Sequence, residues 1–356
     1  MDAYPEVYTT APVQPKEKKP GQLTNEQVKQ YFSEGFVLVK DFFTPEELQP
    51  CRDGTAELVD ALAERLYKAG KIKNTYQDAG LFQRLTLIEE EFPGTCALWL
   101  KKGKIHKAYC DLWVNDRLLN VMEQLVGPEI AGNPLWNLRP KVPSNDETTV
   151  PWHQDNCYTL PESLGTLIPV AWIPLLDATV ENGCMQVVRG GHRRGVTADH
   201  VGVVGGTWYV EVLEEEMEKT LGVNIKTDVV TCEVPYGGVL FINNAIPHRS
   251  LPNKTDNIRW SLDLRWQHPD KPNGFWGKRK PVLMRTAKDP MYAVPQSEWD
   301  KFFNADRGSE LESSTGLSGE DVDEFDTTHH GPWLTRWPIV RHNRHTRALQ
   351  VQQGGV

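Results

Sequence analysis

Ten consecutive residues, Ile258 to Gln267, alternate without a break. Ile258, Trp260, Leu262, Leu264 and Trp266 are apolar, whereas Arg259, Ser261, Asp263, Arg265 and Gln267 are polar or charged. Side chains on a β-strand project to opposite faces with a period of two, so this stretch predicts a strand with one dry and one polar face. Three charges on one face are costly inside a packed core. They are natural on the inner wall of a barrel that holds a charged ligand.

Other segments fit the same architecture. Leu167 to Leu176 (LIPVAWIPLL) is an apolar run of strand length. Val239 to Ile242 follows the turn signal Tyr236-Gly-Gly238. Trp136 to Val142 sets Asn137, Arg139 and Lys141 against Leu138, Pro140 and Val142, which makes one face cationic. These short runs predict a mainly β, α+β chain. Its core, at about 130–268, is expected to be a double-stranded β-helix, a cupin-like jelly roll of eight short antiparallel strands. N-terminal helices are expected to buttress it. Thr24-x-x-Gln27 and Thr44-x-x-Glu47 are capping-box signals, the second opening a helix to about Lys68. Residues 69–110 are irregular in pattern, and Glu211 to Thr220 reads as an acidic surface helix.

The ends read differently. Residues 1–21 are rich in Pro and Lys and poor in large apolar groups, which predicts a disordered tail. Residues 22–300 are expected to form the main domain. Residues 301–356 form a C-terminal extension, with an acidic, Gly/Ser-rich flexible loop at Ser309 to Asp326.

Chemistry concentrates in Val150-Pro-Trp-His-Gln-Asp-Asn-Cys-Tyr158 and Pro247-His-Arg-Ser250. His153 and Asp155 are two apart and share a face on an extended strand, so both can reach one metal ion. His248 can supply a third ligand from a distant strand. Two imidazoles and one carboxylate on one side of a metal leave three positions open. That is the facial triad of non-heme Fe(II) oxygenases, where O2 and a cosubstrate bind. His-x-Asp alone is weak evidence: His268-Pro-Asp270 repeats it, and His330 with Arg341 completes a rival set. The rival lies among Pro and Gly residues that suit a strand ladder poorly.

At these residues the chain resembles the phytanoyl-CoA dioxygenase family of Fe(II)/2-oxoglutarate oxygenases. His153-Gln-Asp155 and His248 match its metal motif. Ser250 and Arg259, two and eleven residues after His248, match the pair that holds the far carboxylate of 2-oxoglutarate. Trp172 matches a tryptophan of the cosubstrate pocket. Asp177-Ala-Thr-Val-Glu-Asn-Gly-Cys184 and Arg189-Gly-Gly-His192 resemble two of the family's turns. The resemblance implies Fe(II) as cofactor, 2-oxoglutarate and O2 as cosubstrates and ascorbate as a reductant. It also implies hydroxylation of a small molecule, because Asp155 occupies the position where a halogenase would carry Gly or Ala.

For the substrate, Trp152 and Tyr158 flank the ligands and could line the mouth, although such aromatics often only pack. Arg139, Lys141 and Arg265 could bind an anionic group, or Asp263 could neutralise Arg265. Two other readings stand beside hydroxylation of a small molecule. One is a cupin-like binding or regulatory protein without turnover, which should lack part of the set formed by the triad, Ser250 and Arg259. The other is a protein side-chain hydroxylase, which should offer a broad groove. The net charge of −9 argues against a nucleic-acid or anionic-membrane partner. No apolar run is long enough to span a bilayer. Six cysteines without framework spacing suggest reduced thiols and a cytoplasmic setting.

Overall fold

The structure is a computed structural model that describes residues 2–100, 105–275, 280–304, 324–329 and 331–346. A large antiparallel sheet is built outward from one edge. β1 (Phe36–Val39) pairs with β9 (Val239–Ile242), which pairs with β4 (Val170–Pro174), which pairs with the long β11 (Arg259–Gln267). The opposite edge of β11 takes β3 (Asn137–Lys141) and β2 (Ile130–Gly132), and β12 (Val282–Arg285) closes on β2. A second antiparallel sheet runs β10 (His248–Ser250), β5 (Met185–Val188), β8 (Val229–Cys232). β6 (Val201–Gly202) and β7 (Val210–Glu211) form a separate ribbon.

The alternation of β11 sorts the molecule into layers. Ile258, Trp260, Leu262, Leu264 and Trp266 turn into the main apolar core, with Ala171 and Ile173 of β4 and Val239 and Phe241 of β9. The intervening Val170, Trp172, Leu240 and Ile242 face the other way, against Met185, Val187 and Cys232 of the second sheet. The polar face of β11 therefore looks into the space between the sheets.

Helices cover the outer face. α2 (Asn25–Glu34) and α3 (Pro45–Lys68) begin at Thr24 and Thr44, and both capping boxes form as the sequence predicts. Leu48, Leu62 and Leu66 of α3 are buried in the main core. The stretch without a clear pattern holds α4 (Arg84–Glu91), α5 (Thr95–Leu100) and α6 (Lys107–Trp113); α7 (Asp116–Val126) follows. Large aromatics tie these helices to the strands. Trp99 Nε1 donates to Leu138 O and Trp113 Nε1 to Arg265 O, both at 3.0 Å. Helical turns also occur later, over Glu214–Leu221 and Gln296–Asn304.

The expectation of a disordered tail over 1–21 is corrected. Residues 2–21 run along the body, and α1 (Pro5–Thr9) buries Tyr8 completely. Tyr8 Oη donates to Leu164 O at 2.5 Å, Tyr4 N donates to Gly195 O at 2.9 Å, and Lys19 Nζ meets Glu123 at 2.6 Å. Composition misled because one well-placed aromatic and a few directed polar contacts suffice to dock a short segment. The acidic turn at 211–220 is also shorter than expected, since Glu211 belongs to β7. Most of the acidic loop at Ser309 to Asp326 lies outside the described residues. All six cysteines are free and buried. No helix among the described residues is long and apolar enough to cross a membrane.

Candidate active site

The backbone sets two of the three ligands side by side. His153 N donates to His248 O at 3.0 Å, and His248 N donates to His153 O at 2.9 Å. This isolated antiparallel bridge brings the rings to 4.2 Å between centroids. Each ring is then oriented alike. Nδ1 of His153 lies 2.9 Å from Pro151 O, and Nδ1 of His248 lies 3.0 Å from Ile246 O. A carbonyl partner assigns the proton to Nδ1 and turns the Nε2 lone pair toward a metal. Asp155 opens the 3-10 turn Asp155–Tyr158 and presents Oδ1 to both rings, 3.6 Å from His153 Nε2 and 3.7 Å from His248 Nε2. One ligand atom from each residue lies within 4.8 Å of the others.

Between the ligands, Gln154 points the opposite way. Its Nε2 donates to Ala245 O (2.6 Å) and Val196 O (3.0 Å), and its Oε1 accepts from Ala198 N (2.8 Å). The alternation that sends His153 and Asp155 inward thus uses the middle residue as a fixed spool.

Electrostatics favour metal binding. Burial alone would raise the Asp155 pKa, but Arg265 and the two imidazoles outweigh it and hold the carboxyl well below its usual range. Burial, with His153 alongside, pushes His248 down to about 4, so its imidazole stays neutral and able to ligate. The donor set, two imidazoles and one carboxylate with a free face, fits Fe(II).

The cavity continues from the triad to a cationic end. Trp172, Ser250, Arg259 and Lys141 line it there. Arg259 is 2% exposed, and its guanidinium carbon sits 5.0 Å from the Trp172 ring centroid. Its Nη1 donates to Ser261 Oγ at 2.8 Å, while Nε is buried without a partner. Burial pulls Arg259 down to about 10. Ser250 Oγ accepts from Val150 N at 3.0 Å. A buried guanidinium with an orphaned N–H, in the same cavity as a metal triad, fits the far carboxylate of 2-oxoglutarate.

The remaining expected residues divide. Arg139 lines the cavity but its Nε is bonded to Asp263 Oδ2 at 2.6 Å. Lys141 is buried; its Nζ donates to Thr148 O (3.0 Å) and Thr149 Oγ1 (3.2 Å). Burial and then Arg259 hold Lys141 well below the ordinary lysine range. Arg265 is not free to bind an anion, and the expected Asp263 is the more distant of its two carboxylate partners. Its head group closes on Asp155, with Nε 3.0 Å and Nη2 2.9 Å from Oδ2, and stays 3.8 Å from Asp263. It is therefore bonded to a candidate metal ligand and is not a free anion anchor. Trp152 packs away from the cavity with Val188, Val212 and Met217, and its Nε1 donates to Glu214 at 3.2 Å. Neighbouring residues on an extended segment point oppositely, so an inward His153 forces Trp152 outward. Tyr158 stays near the site, its ring 5.4 Å from that of His153. Of the rival set, His268 and Asp270 lie in a partly exposed loop, and His330 is outside the described residues.

Sequence reasoning missed several walls. Cys96 and Leu100 of α5, Glu147, Trp208 and Tyr209 line the cavity. They lie in segments without clear periodicity, and only the tertiary fold gathers them. Asp263 was visible on the polar face of β11, but not its pairing with Arg139.

The geometry agrees with comparison to known proteins. The family model for phytanoyl-CoA dioxygenase (PhyH) matches residues 31–261. A phytanoyl-CoA dioxygenase domain-containing protein 1 homolog of Dictyostelium discoideum is 24% identical, covering 70% of this chain and 92% of its own. A phytanoyl-CoA dioxygenase of Arabidopsis thaliana is 25% identical, covering 77% of this chain and 99% of its own. Among solved structures, the apo form of ThoJ, a non-heme monooxygenase, aligns with a TM-score of 0.49 at 20% identity, over 78% of this chain and 94% of its own. With the family model spanning more than half of its length, the chain belongs to the phytanoyl-CoA dioxygenase family of Fe(II)/2-oxoglutarate-dependent oxygenases.

Proposed function

We propose that this protein hydroxylates a small molecule, consuming 2-oxoglutarate and O2 and releasing succinate and CO2. The observation that carries this reading is the pairing of the converged triad with Arg259, buried and incompletely bonded, in one cavity. A binding protein without turnover has no need to keep both. The two antiparallel sheets with their ligand-bearing interior are, on this reading, the walls of a double-stranded β-helix.

Each residue has a separate task. His153, Asp155 and His248 would hold Fe(II), which when bound supplies the activation of O2. Arg259 and Ser250 would orient 2-oxoglutarate by its far carboxylate, and Trp172 would brace the guanidinium. Arg265 keeps Asp155 ionised and aimed. The enclosing walls of Cys96, Leu100, Trp208 and Tyr209 would exclude water and hold the substrate carbon in place. These walls favour a small molecule over a protein side chain. Because Asp263 and Asp155 engage Arg139 and Arg265, Lys141 is the one of these three expected anion anchors without a carboxylate among the described residues, and a strongly anionic substrate is disfavoured. The free thiols support a reducing, cytoplasmic setting.

A succinate-release screen over metabolite pools, with Fe(II), 2-oxoglutarate and ascorbate, tests the proposal. A small-molecule fraction should stimulate succinate release, and His153→Ala should abolish it. Undiminished release in that variant, or stimulation only by protein fractions, would overturn the assignment.

A further inference from the structure

The turn that carries Asp155 has little of its own to hold it. Asp155–Tyr158 is a 3-10 turn of four residues, closed by Cys157 N to Gln154 O at 2.9 Å and Thr159 N to Asn156 O at 3.4 Å. Such turns have poor hydrogen-bond geometry and rarely persist alone. Its outward carbonyls are satisfied by a segment far away in the chain. Arg336 Nη1 donates to Asn156 O at 2.6 Å and also to Thr159 O. Trp337 Nε1 donates to Cys157 O at 2.9 Å.

The same segment reaches the other flank. The Trp337 ring lies 5.0 Å from His200, whose Nε2 accepts from the backbone N–H of Gln154 at 3.2 Å. Residues on both sides of Asp155 are thus braced, directly or through His200, by one stretch of chain. That stretch is itself anchored. Gly202 N donates to Pro338 O at 2.9 Å, and Leu334 is buried with Cys157, Val203 and Val210. It lies beyond the residues matched by the family model, which end at 261.

We propose that the C-terminal strap, residues 331–346, positions the Asp155 turn through Arg336 and Trp337 and thereby sets the metal affinity of the site. This rests on the metal reading of the triad given above. The reasoning is that a ligand carboxylate must be held where the metal needs it, and removal of outer partners typically weakens metal binding by about 10–100-fold. Arg265 fixes the carboxylate group of Asp155; the strap fixes the backbone beneath it. Arg336 and Trp337 are positioning residues, since neither reaches the metal position.

The test is Co(II) titration of the full-length, metal-free protein, read by the visible absorption of the bound ion. Three variants are compared: Arg336→Ala, Trp337→Phe and Leu62→Ala. Trp337→Phe removes one N–H donor and keeps most of the ring. Leu62→Ala loosens the main helix-packed core, which holds neither the strap nor the turn. The first two should weaken Co(II) binding by about tenfold and shift the absorption band. Leu62→Ala should lower the melting temperature yet leave Co(II) affinity within about twofold of wild type. Wild-type affinity in Arg336→Ala and Trp337→Phe, or an equal loss in Leu62→Ala, would overturn the proposal while leaving the metal reading intact. A wild-type protein that takes up no Co(II) would overturn both.

Discussion

Arg265 closes on Asp155 with two nitrogens on a single oxygen, Nε at 3.0 Å and Nη2 at 2.9 Å from Oδ2. That leaves Oδ1 facing the imidazoles, at 3.6 and 3.7 Å. The carboxylate is divided: one oxygen for the arginine, the other for the metal. Arg265→Met should therefore weaken metal binding by one to two orders of magnitude, as loss of an outer partner generally does. Removing one member of a buried pair also costs about 3–5 kcal/mol, so the metal-free variant should melt earlier. Calorimetry with and without metal separates the two effects, and unchanged values in both would refute the division.

Arg259→Ala should raise the 2-oxoglutarate concentration needed for half-maximal turnover by roughly one to two orders of magnitude. A charge-assisted contact is worth about 1.5–3 kcal/mol. Metal affinity without cosubstrate should be unaffected, because Arg259 bonds none of the ligands. Equal sensitivity to 2-oxobutyrate, which lacks the far carboxylate, would contradict the assignment.

Gly183 stands in the Asn-Gly-Cys turn at φ 87°. A Cβ there would run into Leu251 O and the Cδ of Lys141 at less than any real packing distance. Left-handed backbone costs a side-chain-bearing residue about 1–3 kcal/mol before any clash is counted. Gly183→Ala is expected to lose at least about 2 kcal/mol in denaturant unfolding. A stability equal to wild type would mean that the turn relaxes freely.

His192, in the Arg-Gly-Gly-His turn, donates from Nε2 to Phe32 O at 3.0 Å, with Arg193 beside it. Burial lowers its pKa from 6.5 to about 4. Between these values the unfolded chain binds a proton that the folded chain refuses. Its stabilising contribution is thus fully present above pH 6.5, declines as the pH falls and levels off below about 4. The gap corresponds to roughly 3 kcal/mol. His192→Gln should flatten this part of the stability–pH curve, and an unaltered slope would exclude His192 as its source.

The ligands and the two-faced strand were legible because they depend on short-range periodicity. A period of two fixes His153 with Asp155 on one side and sorts all ten residues from Ile258 to Gln267. Thr24 and Thr44 were equally local, since a capping box is written within four residues. Contacts closed by the fold were not legible. Arg265 had two polar neighbours in view along the sequence, and it chose Asp155 across the cavity over Asp263 on its own strand. Tyr8 looked like part of a solvated tail because nothing near it in sequence announces the pocket at Leu164 and Asn156.

The division of labour along β11 bears on how such an enzyme can diversify. Every second residue is committed to the helix-packed core; of those between, Arg259, Asp263 and Arg265 line the cavity, while Ser261 and Gln267 are bonded to Arg259 and Asn133. The strand has almost no neutral position, and a slip of one residue would exchange tryptophans for arginines. Selection for a new substrate must then act elsewhere. Leu100, Trp208 and Tyr209 line the cavity without holding a metal ligand or Arg259. They are where drift is cheapest and where redesign of specificity should begin.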